Sequence, residues 1–448
     1  MKTSSHVEDI PVGAQGDLLH VRNELHSQYL VTAFILIGLL FMLLPGTFLG
    51  VWNLLSISEV HDADALPLGW LQAHGQAQIF GWIGSFILGI GFYSLTKMQS
   101  GRKFPLVTGW WVWSLWLIGI GLRWWSGITT WHWRVLFPLG AILQCIAFVL
   151  FFISVRRHRP RATSYKPEVW MQIVAASTVT FFITLIVNGA FLTHQAWIGA
   201  SPAVPHLLDQ QFVTLAVWGV IVPTIWGFNA RWLSIFAGLK KPDGNRLILA
   251  YVLSVAGIAL TFFQWWMAST IVLLSAAIFS IDALHIWRRP IQPPKLLNIH
   301  PSFPFFLRVA YAWLLISCIL AVLAVPLDRS GGLWGASRHA ITVGFVAGMV
   351  FAIGQKILPA FCGMRILWST RWMFWSLCLL SVGCLLRVST EPLAYGGLWS
   401  PAWKILPLSA LIEMTAITLF ALNLGATLLQ PPAHLRSENK SSLSRGAA

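Results

Sequence analysis

HGQAQIFGWIGSFILGIGF, residues 74–92, decides the fold. It opens on a histidine and continues with no Lys, Arg, Asp or Glu. A helix needs ~20 such residues to cross the hydrocarbon core of a bilayer. Apolar and polar residues do not alternate along it, which excludes a strand of a membrane barrel. Eleven comparable runs flank this one. Together they predict helices at 28–52, 71–96, 105–123, 134–154, 169–191, 206–230, 247–265, 269–287, 304–325, 338–362, 371–389 and 405–430. The stretch 247–287 is too long for one helix, and Gln264–Ser269 supplies the turn. The composition agrees: 56% of residues are hydrophobic and 10% charged, against about a quarter charged in soluble domains. The expected fold is all-α, a polytopic membrane protein of twelve helices in a single domain over 28–430. A polar segment, 1–27, precedes it and a Ser/Lys-rich tail, 431–448, follows. Glu8, Asp9, Asp17 and Glu24 interrupt the first segment, which therefore does not read as a signal peptide.

The basic residues give the direction. With the N-terminus inside, 22 of the 30 Lys and Arg fall in inner connections. Only Arg123, Arg134, Arg329, Arg338, Arg387 and Lys404 fall outside, and Arg308 and Lys356 fall within helices. This positive-inside bias predicts that both ends are cytoplasmic. It also accounts for the net charge of +15, so membrane lipid, and not nucleic acid, is the implied partner. The outer segments are rich in Trp (Trp52, Trp70, Trp124, Trp125, Trp131, Trp133, Trp399, Trp403). These read as an interfacial belt, or as a wall around a bound group. Five cysteines without CxxC spacing read as small packing residues. No phosphate loop, dinucleotide fingerprint, nucleophile elbow or HExxH occurs, which leaves hydrolase and NTPase functions without support.

The histidine that opens residues 74–92 has counterparts. His206 follows His74 by 132 residues and His339 follows His206 by 133. They open HLLDQQFVTLAVWGVIVPTIWGF (206–228) and HAITVGFVAGMVFAIGQKILPAF (339–361). Gln78 lies one turn beyond His74 and Gln210 one turn beyond His206, so each pair shares a helix face. Arg123 and Arg387, at the outer ends of the third and eleventh helices, are two such periods apart. The chain thus reads as three units of four helices, about 28–154, 169–287 and 304–430. Helices 2, 6 and 10 are then inner, and Gly344 and Gly348 give the tenth a close-packing face.

Imidazole is a neutral ligand for haem iron and copper. Two imidazoles from different helices clamp a haem, and Arg123 and Arg387 lie where its propionates need cations. The plainer alternatives are solvated histidines and snorkelling arginines. Ionisable groups within helices are functional candidates by default. Asp209 is one turn from His206, and Glu413 is two turns into the twelfth helix. Lys356 reads as snorkelling, Asp282 and His285 as a local polar pair, and the stretch His61–Asp64 as a solvated loop or a metal site.

Several segments carry a resemblance. They are Ala73-His74-Gly75-Gln76 through Phe80-Gly81, Leu115-Trp116-Leu117 through Arg123, Arg338-His339-Ala340-Ile341-Thr342-Val343-Gly344, and Leu386-Arg387-Val388. In architecture the chain is similar to the haem-copper oxidase superfamily. More closely it resembles the NnrS family, haem- and copper-containing membrane proteins of nitric oxide metabolism and nitrosative stress. The resemblance implies a b-type haem, and copper as a further metal, with His74 and His339 as axial or near-axial ligands. It implies His206 as a metal or outer ligand, Arg123 and Arg387 as propionate partners, and a redox partner protein. Gln76 stands where the family has a second His, and Phe361–Arg365 lacks the family's His. The histidines of a full haem-copper dinuclear centre are missing, because none lies between 206 and 285 and His339 is alone on helix 10. Two other functions fit the same residues. One is a repeat-built transporter or channel with Gln78, Asp209, Gln210 and Glu413 lining a polar path. The other is a degenerate oxidase-like scaffold.

Overall fold

Each apolar run becomes one helix in the computed structural model, which describes residues 12–62, 66–98, 102–158 and 167–430, with side chains from residue 26 onward. The twelve are α1 (His26–Val60), α2 (Leu68–Lys97), α3 (Leu106–Thr129), α4 (Trp133–His158), α5 (Val169–Ile198) and α6 (His206–Phe236), followed by α7 (Gly244–Phe262), α8 (Trp266–Ala283), α9 (Phe303–Leu327), α10 (Gly332–Phe361), α11 (Thr370–Tyr395) and α12 (Ala402–Leu429). All are long and apolar enough to cross a membrane, and no strand occurs among the described residues. The polar tail 431–448 and residues 1–11 lie outside the described residues, and the helix of α1 extends back to Val12. The α7–α8 turn comes at residues 263–265, where Gln264 takes a φ of 61°.

The helices run further than hydropathy predicts. Arg123 and Arg387 do not end α3 and α11, which continue to Thr129 and Tyr395. Arg338 lies inside α10, which begins at Gly332. A charged side chain lowers local hydropathy without breaking the backbone ladder, so a hydropathy reading stops where the helix does not.

Consecutive helices pack side by side, and α12 returns to pack on α1. The most apolar stretches of α2, α6 and α10 are 61, 72 and 78% buried, against 33–56% for the other nine. Close approach sustains this burial. A Cβ on Gly344 would sit 2.4 Å from Trp313 of α9, and one on Gly348 would meet Ala310. Phe80 of α2 packs on Trp116 of α3, Phe181 of α5 and Phe212 of α6. Trp82 of α2 meets Phe351 of α10, which stacks on Phe420 of α12 at 3.9 Å.

Within α1, α2, α6 and α10 the backbone widens into π-helical turns at Met42–Phe48, Ala77–Gly84, Val217–Ile221, Ala340–Ala347 and Val350–Gly354. Such turns are rare and frequent at functional sites. In α1 the cause is visible. Pro45 has no N–H to give and its ring crowds the preceding turn. Neighbouring helices satisfy the loosened carbonyls, as a membrane interior requires: Met42 O accepts from Gln78, Pro45 O from Trp124 and Gly46 O from His74.

Buried amides pin α10 to α12. Asn423 donates to Gln355 at 2.6 Å and to Ser369 O at 2.9 Å, and accepts from the Ser369 amide at 2.9 Å. Asn423→Ala leaves those groups unpaired at a cost of about 1–3 kcal/mol. The unfolding midpoint in detergent should fall while the helical content stays unchanged. An unaltered midpoint would show that the amide holds nothing together.

Candidate functional site

The site begins at the loosened turn of α1. The His74 ring faces Gly46 O at 2.8 Å through Nδ1. A carbonyl only accepts, so Nδ1 carries the hydrogen and the neutral ring keeps its lone pair on Nε2. The ring fits because residue 50 is glycine, where a Cβ would sit 2.6 Å from His74 Cε1. One turn on, Gln78 Nε2 donates to Thr47 Oγ1 at 3.1 Å and to Met42 O at 3.3 Å.

His339 of α10 is set in the same way. Its Nδ1 lies 3.0 Å from Gly335 O and 3.2 Å from Glu391 Oε2. Its Nε2 is therefore also the free acceptor. Neither Nε2 has a hydrogen-bond partner among the described residues. His339 and Arg387 both lie within electrostatic range of the His74 ring.

Behind His339 stands a buried ion pair. Arg387 Nε lies 3.2 Å from Glu391 Oε2, and Arg387 Nη2 donates to Oε1 at 3.4 Å. Arg387 is 7% and Glu391 3% exposed, so both charges are removed from solvent. Glu413 of α12, 9% exposed, feels His339, Arg387 and Glu391, and its Oε1 has no partner. It sits against Gly383 of α11, where a Cβ would meet its Cγ at 2.5 Å.

A second group gathers at the start of α6. Asp209 lies in the first helical turn, where the helix dipole favours an anion. It feels the charges of Arg338, Arg123 and His206. Arg123 is 4% exposed and lays its guanidinium 3.8 Å from the centre of the Phe137 ring. Its Nη1 and Arg338 Nη2 are buried without partners. His206 itself is exposed on the first residue of α6. Gln210 is half-buried.

Of the residues singled out from sequence, His74, His339, Arg387 and Glu413 come together, and Arg123, Asp209 and His206 form the adjoining group. Gln78 braces α2 against α1. Arg387, read as a propionate partner, has a carboxylate within its own helix. Two residues escaped the sequence reading. By hydropathy Glu391 falls beyond the predicted helix 371–389, although it stands one turn from Arg387. Arg338 was counted as an outer-loop charge.

The peripheral candidates separate. Lys356 reaches Leu297 O at 2.7 Å, as a snorkelling lysine does. Asp282 pairs with Arg246 and Arg288 and not with the His285 ring. His61 stacks on Trp403, while Asp64 lies outside the described residues. Trp52, Trp125, Trp131 and Trp399 are exposed as a belt requires, whereas Trp124 turns inward to Pro45 O.

A family model described as a domain of unknown function (DUF8744) matches residues 304–427. These residues run from the start of α9 almost to the end of α12. No curated protein matches the chain.

Proposed function

We propose that this is an NnrS-like haem-binding protein of the bacterial inner membrane, acting in nitric oxide metabolism or the response to nitrosative stress. The observation that carries the reading is the seating of His74 and His339, each with Nδ1 against a backbone carbonyl. Each ring gives its Nδ1 hydrogen to a backbone carbonyl of the chain and leaves Nε2 without a partner. Iron-ligating histidines are held in this way, with the far nitrogen fixed by an acceptor.

Other features support the same reading. The three helices that carry the spaced histidines are the most buried of the twelve. The family match spans α9 to α12, the segment that the sequence reading takes as its third unit. Gln76, where the NnrS pattern has its second His, is 7% exposed with neither amide atom partnered. A buried unpaired amide is costly unless a bound group satisfies it.

When bound, a haem held between these two imidazoles would supply single-electron chemistry. The work of the chain is then to hold and insulate. His74 and His339 supply the ligating nitrogens. Gly46, Gly335 and Glu391 fix the rings. Arg123 and Arg338 offer buried cationic nitrogens to carboxylates, and Phe80, Trp82 and Phe351 exclude water. A redox partner protein would supply the electrons. Copper has weaker support, since no three His, Cys, Asp or Glu side chains gather to hold a metal among the described residues.

The π-helical turns of α2, α6 and α10 favour one other function, a haem-free transporter, because irregular helices at the bundle centre line solute paths. Haem assay of protein purified from haem-replete membranes separates the two. Haem bound stoichiometrically to the chain supports the proposal. A colourless protein that moves solute across liposomes would replace it with the transporter.

A further inference from the structure

Glu391 has no part in the resemblance, and its surroundings give it a specific task. It is 3% exposed, four residues before the end of α11. Such a carboxylate persists there only when paired. Its two oxygens meet Arg387 Nε at 3.2 Å and Nη2 at 3.4 Å, and Oε2 also faces His339 Nδ1 at 3.2 Å. The backbone makes room for this contact. A Cβ at Gly335, one turn before His339, would sit 2.1 Å from Glu391 Oε1. Any other residue at 335 would drive the carboxylate away from the imidazole.

We propose that Glu391 is a positioning residue. Clamped by Arg387, it fixes the His339 ring with Nε2 directed away from α11 and makes that nitrogen a stronger electron donor. The inference rests on the haem reading above. An anion behind an imidazole raises the basicity of the opposite nitrogen, and a more basic ligand favours ferric over ferrous iron. Arg387 holds the Glu391 carboxylate in place without touching the ring.

The test is a redox titration of the bound haem in wild-type and Glu391→Gln proteins. Glutamine keeps the shape and an accepting oxygen but removes the charge. Haem should be retained and its midpoint should move to a more positive potential. A purely structural role would leave the midpoint at the wild-type value, and that result would overturn the proposal. Should Glu391→Gln not accumulate, Gly335→Ala decides. Its methyl displaces the carboxylate, the same positive shift is expected, and an unshifted midpoint again overturns the assignment. A wild-type protein with no haem signal is a different outcome, and it defeats the underlying haem reading.

Discussion

His74→Ala and His339→Ala proteins are each expected to purify without haem, while His206→Ala keeps the wild-type content. The expectation follows from how the rings are held. Each imidazole is seated on one backbone carbonyl, and no second histidine stands nearby to take over. Gln76 fills the adjacent position on α2, and His339 is the only histidine of α10. Loss of an outer partner of a ligand costs about 10–100-fold in metal affinity. Loss of the ligand itself should exceed this and leave less than a tenth of the chains loaded. His74→Ala also empties the notch at Gly50 and frees the Gly46 carbonyl, so a lower unfolding midpoint accompanies the loss. His206 is exposed and ties down no other helix. Haem assay per mole of purified chain checks all three variants. Unchanged haem in both His74→Ala and His339→Ala would place the ligands elsewhere.

Arg387→Met should be the most destabilising single change in the bundle. It deletes one member of a buried ion pair and leaves Glu391 without its cation. Breaking such a pair from one side costs roughly 3–5 kcal/mol, whereas replacing both members by neutral groups is often close to neutral. His339 lies within reach of the same carboxylate and relieves part of the penalty, which favours the lower end of that range. The double variant Arg387→Met, Glu391→Gln carries no buried charge at this point. It should recover most of the stability that the single variant loses. Thermal unfolding of the two proteins in one detergent gives the comparison. If both unfold at the same temperature, the pair is not the electrostatic clamp described here.

The sequence was most legible where one property decides. Twelve apolar runs became twelve helices because, without the alternation of a barrel strand, only a helix satisfies its backbone in hydrocarbon. The spacing of His74, His206 and His339 picked out the three most buried helices. Legibility failed where two properties compete. Arg123, Arg338 and Arg387 have the hydropathy of a loop and the backbone of a helix, and the helix prevails because it satisfies its own backbone whatever the side chain carries. The end of α11 was therefore placed too early, and Glu391 was lost with it. The widening of α1 at Pro45 was not legible either. A proline in a membrane helix has several outcomes, and only the donors supplied by His74, Gln78 and Trp124 select this one.

The direct test of the central claim is the electron paramagnetic resonance and absorption spectrum of the oxidised, purified wild-type protein. Ligation by His74 and His339 predicts a six-coordinate, low-spin ferric haem with two imidazole ligands. Its spectrum should not respond to added carbon monoxide on reduction. A five-coordinate, high-spin haem, or no haem at all, would contradict the account.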